Sequence, residues 1–262
     1  MPLPSDASEI ARFVRQRREL GVEDWILEEL PTMEALRAVR GASEGPGVVL
    51  GDTGALDHLR SSPLATQQPA GSAQAAGIPD GYEELRAAAL GCTRCRLAME
   101  RNQVVFSDGN PDGRVMVVGE APGANEDRTG LPFVGAAGKL LDLLLATINL
   151  SREESVYICN VIKCRPPGNR NPRPDEIAAC APFLRQQIIL VQPEVILAVG
   201  AFAAQLLSGQ ERPLGKLRGE VYAYEGTPLV VTYHPAALLR NPGWTRSTWE
   251  DLQLLIEVLD DC

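Results

Sequence analysis

The chain has 262 residues, 45% of them hydrophobic, and a formal net charge of −9. That is enough apolar material for one sizeable domain with additional segments, and the acidic balance argues against a nonspecific polycationic binder while leaving room for a local basic groove. No apolar run approaches a membrane span and the N-terminus has no apolar signal core, so a cytoplasmic, nucleoid-associated location is expected.

Residues 1–40 carry apolar side chains at Ile10, Phe13, Val14, Leu20, Trp25, Ile26 and Leu30 with charges between them. This spacing predicts one or two short amphipathic helices, closed by Pro31. Residues 41–80 are rich in Gly, Ala, Ser, Pro and Gln and predict a flexible, disordered linker. His58 falls in that linker and is expected to be a solvated bystander. The first ninety residues hold 14 acidic and 8 basic side chains, which leaves only −3 for the remainder. The extension is therefore expected to serve protein contact or autoinhibition rather than contact with a polyanion.

From residue 81 to 262 strands and helices alternate. Strands are predicted over Arg114–Glu120, Ser155–Lys163, Glu194–Gly200 and Thr227–Pro235. Helices are predicted over Ala137–Leu150, Pro174–Gln192, Ala201–Gly209 and Ser247–Asp261. Alternating units with fully apolar strands imply an α/β fold with a mostly parallel sheet covered on both faces. Sites in such folds lie at the carboxyl ends of strands. Four loops are placed there: "GEAPG", "NVIKCRPPGNRN", "VGAF" and "YHPA".

Six cysteines are present. Cys92 and Cys95 form C-x-x-C, Cys164 lies on a strand-end loop, and Cys180 lies in the following helix. Four such thiols suit either zinc or an iron–sulfur cluster. The wide separation of the third and fourth favours a cluster over two tight zinc knuckles. Cys159, in mid-strand, and Cys262, at the terminus, are expected to be non-ligands.

The stretch "VVGEAPGANEDRTGLPFVGAAGKLL" joins a strand to a helix by an unusually long loop. It matches neither G-x-x-x-x-G-K-[ST] nor G-x-G-x-x-G, so a triphosphate cradle is not expected. It presents Glu120 and Glu126 near Phe133, a set suited to stacking and edge recognition of a flat polar ring. Asn160 ends the next strand with a carboxamide that matches an N–H beside a C=O. His234 stands at the end of another strand. Basic side chains on "KCRPPGNRNPRP" and "LLRNPGW" flank this pocket and suit a phosphate backbone.

The ordered set "GEAPGANEDRTGLPFVGAAGKLL", "NVIKCRPPGNRNPRPDE" and "HPAALLRNP", with Cys92, Cys95, Cys164 and Cys180, resembles the family 4 uracil-DNA glycosylases over about residues 82–259. The resemblance implies a three-layer α/β/α sandwich on a central four-stranded parallel sheet. It implies a [4Fe–4S] cluster on those four cysteines and hydrolytic excision of uracil from double- and single-stranded DNA, leaving an abasic site. By the same resemblance Phe133 stacks on a flipped uracil, Asn160 and the Ala121 backbone N–H read its edge, and His234 bonds O2. Family 1 enzymes carry an Asp where Ala121 stands and a Tyr where Gly123 stands. Glu126, ranked above Glu120, is expected to take over part of their work of orienting water or crowding C5. Asn169, Arg170 and Arg240 are expected to touch DNA. The related cross-linking enzymes carry a reactive His after the "KC" motif; none is present here, so no covalent adduct is expected. The chain is expected to act as a monomer. The competing reading is an iron–sulfur redox or DNA-sensing module without catalysis, which has no need of Phe133, Asn160 and His234 around one pocket.

Overall fold

The computed structural model describes residues 77–261. The N-terminal helices, nearly all of the linker, His58 and Cys262 lie outside the described residues.

Helix α1 (Tyr82–Leu90) is followed by a 3-10 turn (Arg96–Met99) and the two-residue strand β1 (Asp108–Gly109). Then come β2 (Val115–Gly119), α2 (Ala124–Thr129), α3 (Ala136–Thr147), β3 (Val156–Asn160) and α4 (Pro174–Val191). The second half runs β4 (Val195–Val199), α5 (Ala201–Ser208), α6 (Leu214–Leu217), β5 (Tyr222–Tyr224), β6 (Thr227–Thr232), α7 (Pro235–Arg240) and α8 (Thr245–Asp260). The sheet has six strands in the order β1-β3-β2-β4-β6-β5. Its central four are parallel, as expected from the sequence, and β1 and β5 add an antiparallel strand at each edge. These additions are two and three residues long, too short to leave a hydrophobic periodicity in the sequence.

Every residue of β2, β3 and β4 is buried, because both faces of the sheet are covered. On one face Met116, Val118, Tyr157, Ile196 and Ala198 pack with Leu184 and Ile188 of α4 and Ala204 and Leu207 of α5. On the other, Val117, Ile158, Leu197 and Val199 pack with Leu141 and Leu145 of α3 and Leu252, Leu255 and Leu259 of α8. α8 buries Thr248, Asp251, Leu252, Leu255, Val258 and Leu259, a single helical stripe. A smaller cluster joins Leu85 and Ala89 of α1 to Phe106 and Phe183, with Cys92 and Cys180 against it.

α4 starts with Pro174 at its first position, and the Glu176 carboxylate accepts the Arg173 N–H at 2.8 Å. Both features suit a helix N-terminus, where N–H groups lack partners. α7 begins in the same way at Pro235.

Candidate base pocket and thiol-lined cavity

In the parallel pair β2–β3, Gly119 stands opposite Asn160. The missing side chain at Gly119 lets two neighbours converge. A Cβ there would lie 2.4 Å from Asn160 Oδ1 and 2.8 Å from Phe133 Cζ. Asn160 is 3% exposed. Its carboxamide makes no hydrogen bond within the protein among the described residues, and its polar atoms are not sealed from solvent. A carboxamide fixed at a strand end with no partner inside the protein keeps one acceptor and two donor hydrogens for a ligand.

Phe133 reaches this point from the loop between α2 and α3, with a φ of +53°. For an aromatic residue that conformation costs on the order of 1–3 kcal/mol and must be held by its surroundings. Arg152 supplies the hold. Its guanidinium donates to the Phe133 carbonyl at 3.0 Å and to the Pro132 carbonyl at 3.1 Å. The same group pairs with Asp108 at 2.6 Å and Asp142 at 3.0 Å.

His234 follows β6. The strand end is pinned to α8, where the Thr232 hydroxyl donates to Asp251 at 2.6 Å and Arg218 grips both Asp251 oxygens at 2.6 and 2.8 Å. His234 caps α7: its Nδ1 accepts the Ala236 N–H at 3.1 Å. In the neutral ring the proton is therefore on Nε2. Burial, and then the nearby Arg240 charge, lower its pKa from 6.5 to about 4, with Glu126 opposing. The ring is neutral near pH 7. Gly200, at φ +97°, makes room beside it; a Cβ there would lie 3.1 Å from His234 Cβ. The imidazole stacks on Phe133, with centroids 5.5 Å apart. Asn160 and His234, at two strand ends, and Phe133, on the loop between α2 and α3, thus come together.

The two carboxylates differ. Glu126 uses both oxygens on the loop itself, accepting the Gly123 and Val134 N–H groups, each at 3.1 Å. Glu120 is partly buried, and desolvation raises its pKa. Its carboxylate has no protein hydrogen bond among the described residues. Ala121 follows it, partly exposed.

The expected DNA contacts are distributed unevenly. Arg170 is committed to a bidentate pair with the buried Glu176, at 2.8 and 2.6 Å, which holds that carboxyl below the usual carboxylate range. Asn169 accepts from Arg165 at 2.8 Å and sits at φ +53°. Arg240 is exposed at the end of α7 and has no ion pair among the described residues.

Cys92, Cys95, Cys164 and Cys180 line one cavity together with Arg94, Arg101 and Lys163. Arg101 donates to Cys164 Sγ at 3.1 Å and to the Cys92 carbonyl at 2.7 Å. The Lys163 N–H donates to Cys180 Sγ at 3.3 Å. Burial raises the pKa of Cys164 and of Cys180, and the neighbouring cations oppose it. Among the described residues no three His, Cys, Asp or Glu side chains converge tightly enough for a single metal ion. The thiols surround a volume rather than a point. Cys159 is buried in β3, outside this set.

Sequence reasoning missed Arg152 and Arg101, and it marked Lys163 as a basic side chain for a phosphate backbone, whereas Lys163 is buried and folds back onto the Asn160 carbonyl. Each acts through a contact with residues distant in the chain or through a folded-back side chain, and neither kind of contact leaves a local pattern. Arg170 was marked as basic, but its pairing with Glu176 across a proline-rich turn was not visible.

An α/β sheet whose strand ends and adjoining loop bring together an aromatic ring, a carboxamide and a neutral imidazole suits a flat polar ring, and the family model for the uracil DNA glycosylase superfamily matches residues 106–253. A type 4 uracil-DNA glycosylase of Thermotoga maritima is 49% identical over 152 residues, 57% of this chain and 79% of the relative. Those of Sulfurisphaera tokodaii and Saccharolobus solfataricus are 39% and 43% identical, covering 68% and 64% of this chain and 85% and 82% of the relatives. The chain belongs to the type 4 uracil-DNA glycosylase family.

Proposed function

We propose that this protein removes uracil from DNA by hydrolysing its N-glycosidic bond, the first step of base excision repair. The names of its relatives support the reaction class. The single observation that carries the reading at this site is the Asn160 carboxamide, fixed at the end of β3 without a protein hydrogen bond, beside the Phe133 ring. A uracil stacked on Phe133 satisfies that group, with Nδ2 donating to O4 and Oδ1 accepting from N3–H. Cytosine presents the reverse pattern and leaves buried groups unpaired. The nucleotide leaves the helix at a cost of a few kcal/mol, repaid by these contacts.

Cleavage develops positive charge on the sugar and negative charge on uracil O2. The Nε2–H of neutral His234 is the donor assigned to O2, and Nδ1 is held by Ala236. A donor fixed in place needs no rearrangement as the charge grows. Glu120, with a desolvated carboxylate free of protein hydrogen bonds, is assigned to orient the attacking water. Glu126 is assigned to shape the loop, which reverses the order in which the sequence ranked the two. Arg240 and Asn169 are assigned to the phosphate backbone, with Arg170 shaping the loop between them.

We assign a [4Fe–4S] cluster to Cys92, Cys95, Cys164 and Cys180. The donor chemistry fits: four thiols around a volume, with Arg101 and Lys163 to offset thiolate charge. Bound there, the cluster cross-links the segment after α1 to the loop after β3 and to α4.

Excision from a U·G duplex, comparing wild type with Asn160→Ala and Phe133→Ala and recording a visible absorption spectrum of each, tests the reading. Cleavage by wild type, strongly reduced in both variants with absorption retained, is the expected result. No cleavage by a folded wild type that retains the absorption overturns it.

A further inference from the structure

We infer that Lys163 is a positioning residue for base recognition: its buried ammonium fixes the backbone from which Asn160 reads the base and ties that strand end to the wall of the thiol-lined cavity. The inference rests on the role proposed for Asn160.

Lys163 is 2% exposed, among the largest fully buried side chains. A buried ammonium is expensive unless hydrogen-bonded. No carboxylate pairs with it among the described residues. Its Nζ instead folds back and donates to the Asn160 carbonyl at 2.7 Å. The side chain therefore closes the turn that leaves β3, directly behind the carboxamide facing the pocket.

The main chain of Lys163 is held as firmly. Its N–H donates to Cys180 Sγ at 3.3 Å, and its carbonyl accepts the Val105 N–H at 2.8 Å. One residue thus contacts the strand end, the cavity wall and the segment before β1. Removing the ammonium frees the Asn160 carbonyl and lets the turn relax. A displacement of about 1 Å in a recognition group can cost about 100-fold in rate.

The test is a double-mutant cycle on the metal-loaded full chain. Uracil excision from a U·G oligonucleotide is measured under single-turnover conditions for wild type, Lys163→Met, Asn160→Ala and the double variant. Visible absorption and thermal melting are recorded for each. We expect Lys163→Met to slow excision about 10- to 100-fold with absorption retained, and to slow the Asn160→Ala variant by no more than about threefold, because residues acting through one another are not additive. Additive effects, with Asn160→Ala itself slowed, overturn this inference and leave the pocket reading standing. A wild-type rate for Asn160→Ala overturns the pocket reading and this inference with it. If Lys163→Met does not fold, Lys163→Gln takes its place in the cycle. Failure of both to fold assigns Lys163 to core stability and overturns the inference.

Discussion

The rings of Phe133 and His234 stack with centroids 5.5 Å apart and planes inclined at 24°. A base lying between them needs two stacking intervals of about 3.4 Å each, more than this gap provides. Uracil therefore has to part the two rings or take over one face of Phe133. In the free protein the imidazole keeps that face covered, and the base replaces one aromatic contact with another.

Phe133→Ala removes the stacking surface. Base–aromatic stacking contributes roughly 1–3 kcal/mol per base, so excision should fall about 10- to 100-fold. Phe133→Tyr should lose far less. Single-turnover rates on a U·G duplex check both, and equal losses would count against a stacking role.

The pH behaviour follows from the environments of His234 and Glu120. His234, with a pKa lowered to about 4, stays a neutral Nε2–H donor throughout the neutral range, so no rate change should appear near 6.5. Burial raises the Glu120 pKa, so an acid limb in the rate above the ordinary carboxylate range should appear and should vanish in Glu120→Gln. For stability, the unfolded chain binds a proton at His234 near 6.5 and the folded chain only near 4. Stability from this group is therefore present above 6.5 and is lost as pH falls between those values. The loss is at most about 3 kcal/mol. Denaturant titrations of wild type and His234→Asn across that window should diverge towards acid pH.

Glu126→Ala and Glu120→Gln should separate a loop strut from a reacting group. Glu126→Ala leaves the Gly123 and Val134 N–H groups without acceptors and should lower the melting temperature together with activity. Glu120→Gln should leave melting unchanged and lower the rate by about tenfold or more. The opposite pattern in melting and rate would exchange the two assignments.

Arg152→Met should weaken the pocket without touching the base. It removes the donors to the Pro132 and Phe133 carbonyls and releases Asp108 and Asp142. A loss of about 1–3 kcal/mol in stability is expected, with reduced excision because Phe133 no longer has its φ of +53° enforced. Chemical denaturation and excision assays on one preparation measure both.

Cys164→Ser should abolish the visible absorption assigned to the cluster and lower the melting temperature, because three separate segments then lose their common anchor. Retention of full absorption by this variant would remove Cys164 from the ligand set.

The main architecture was readable because β2 and β4 are apolar throughout, β3 and β6 are apolar apart from Asn160 and the terminal threonines of β6, and the long helices bear one buried stripe. The predicted ends fall within a few residues of those observed. β3 stops at Asn160, three residues before the apolar and basic run suggests, because the chain turns where Lys163 folds back. α2 and α7 are six residues each and are set by their caps, Glu126 on Gly123 and His234 on Ala236, rather than by periodicity. Asn160 and His234 could be marked from their places at strand ends, and Phe133 from the unusually long loop that carries it. The commitment of Glu126 to backbone N–H groups and of Arg170 to Glu176 depends on the folded loop and was not readable in residue types.

Gly119 and Asn160 are register partners at the carboxyl ends of two inner strands, and His234 follows a strand locked to α8. Asn160 and His234 therefore hang directly from the sheet, and Phe133 from a loop held by Arg152. Heat should then abolish base recognition and the sheet together, in one cooperative transition. Below that transition, the tolerance for a wrong base should hardly change with temperature, since the geometry that rejects it is the strand register itself.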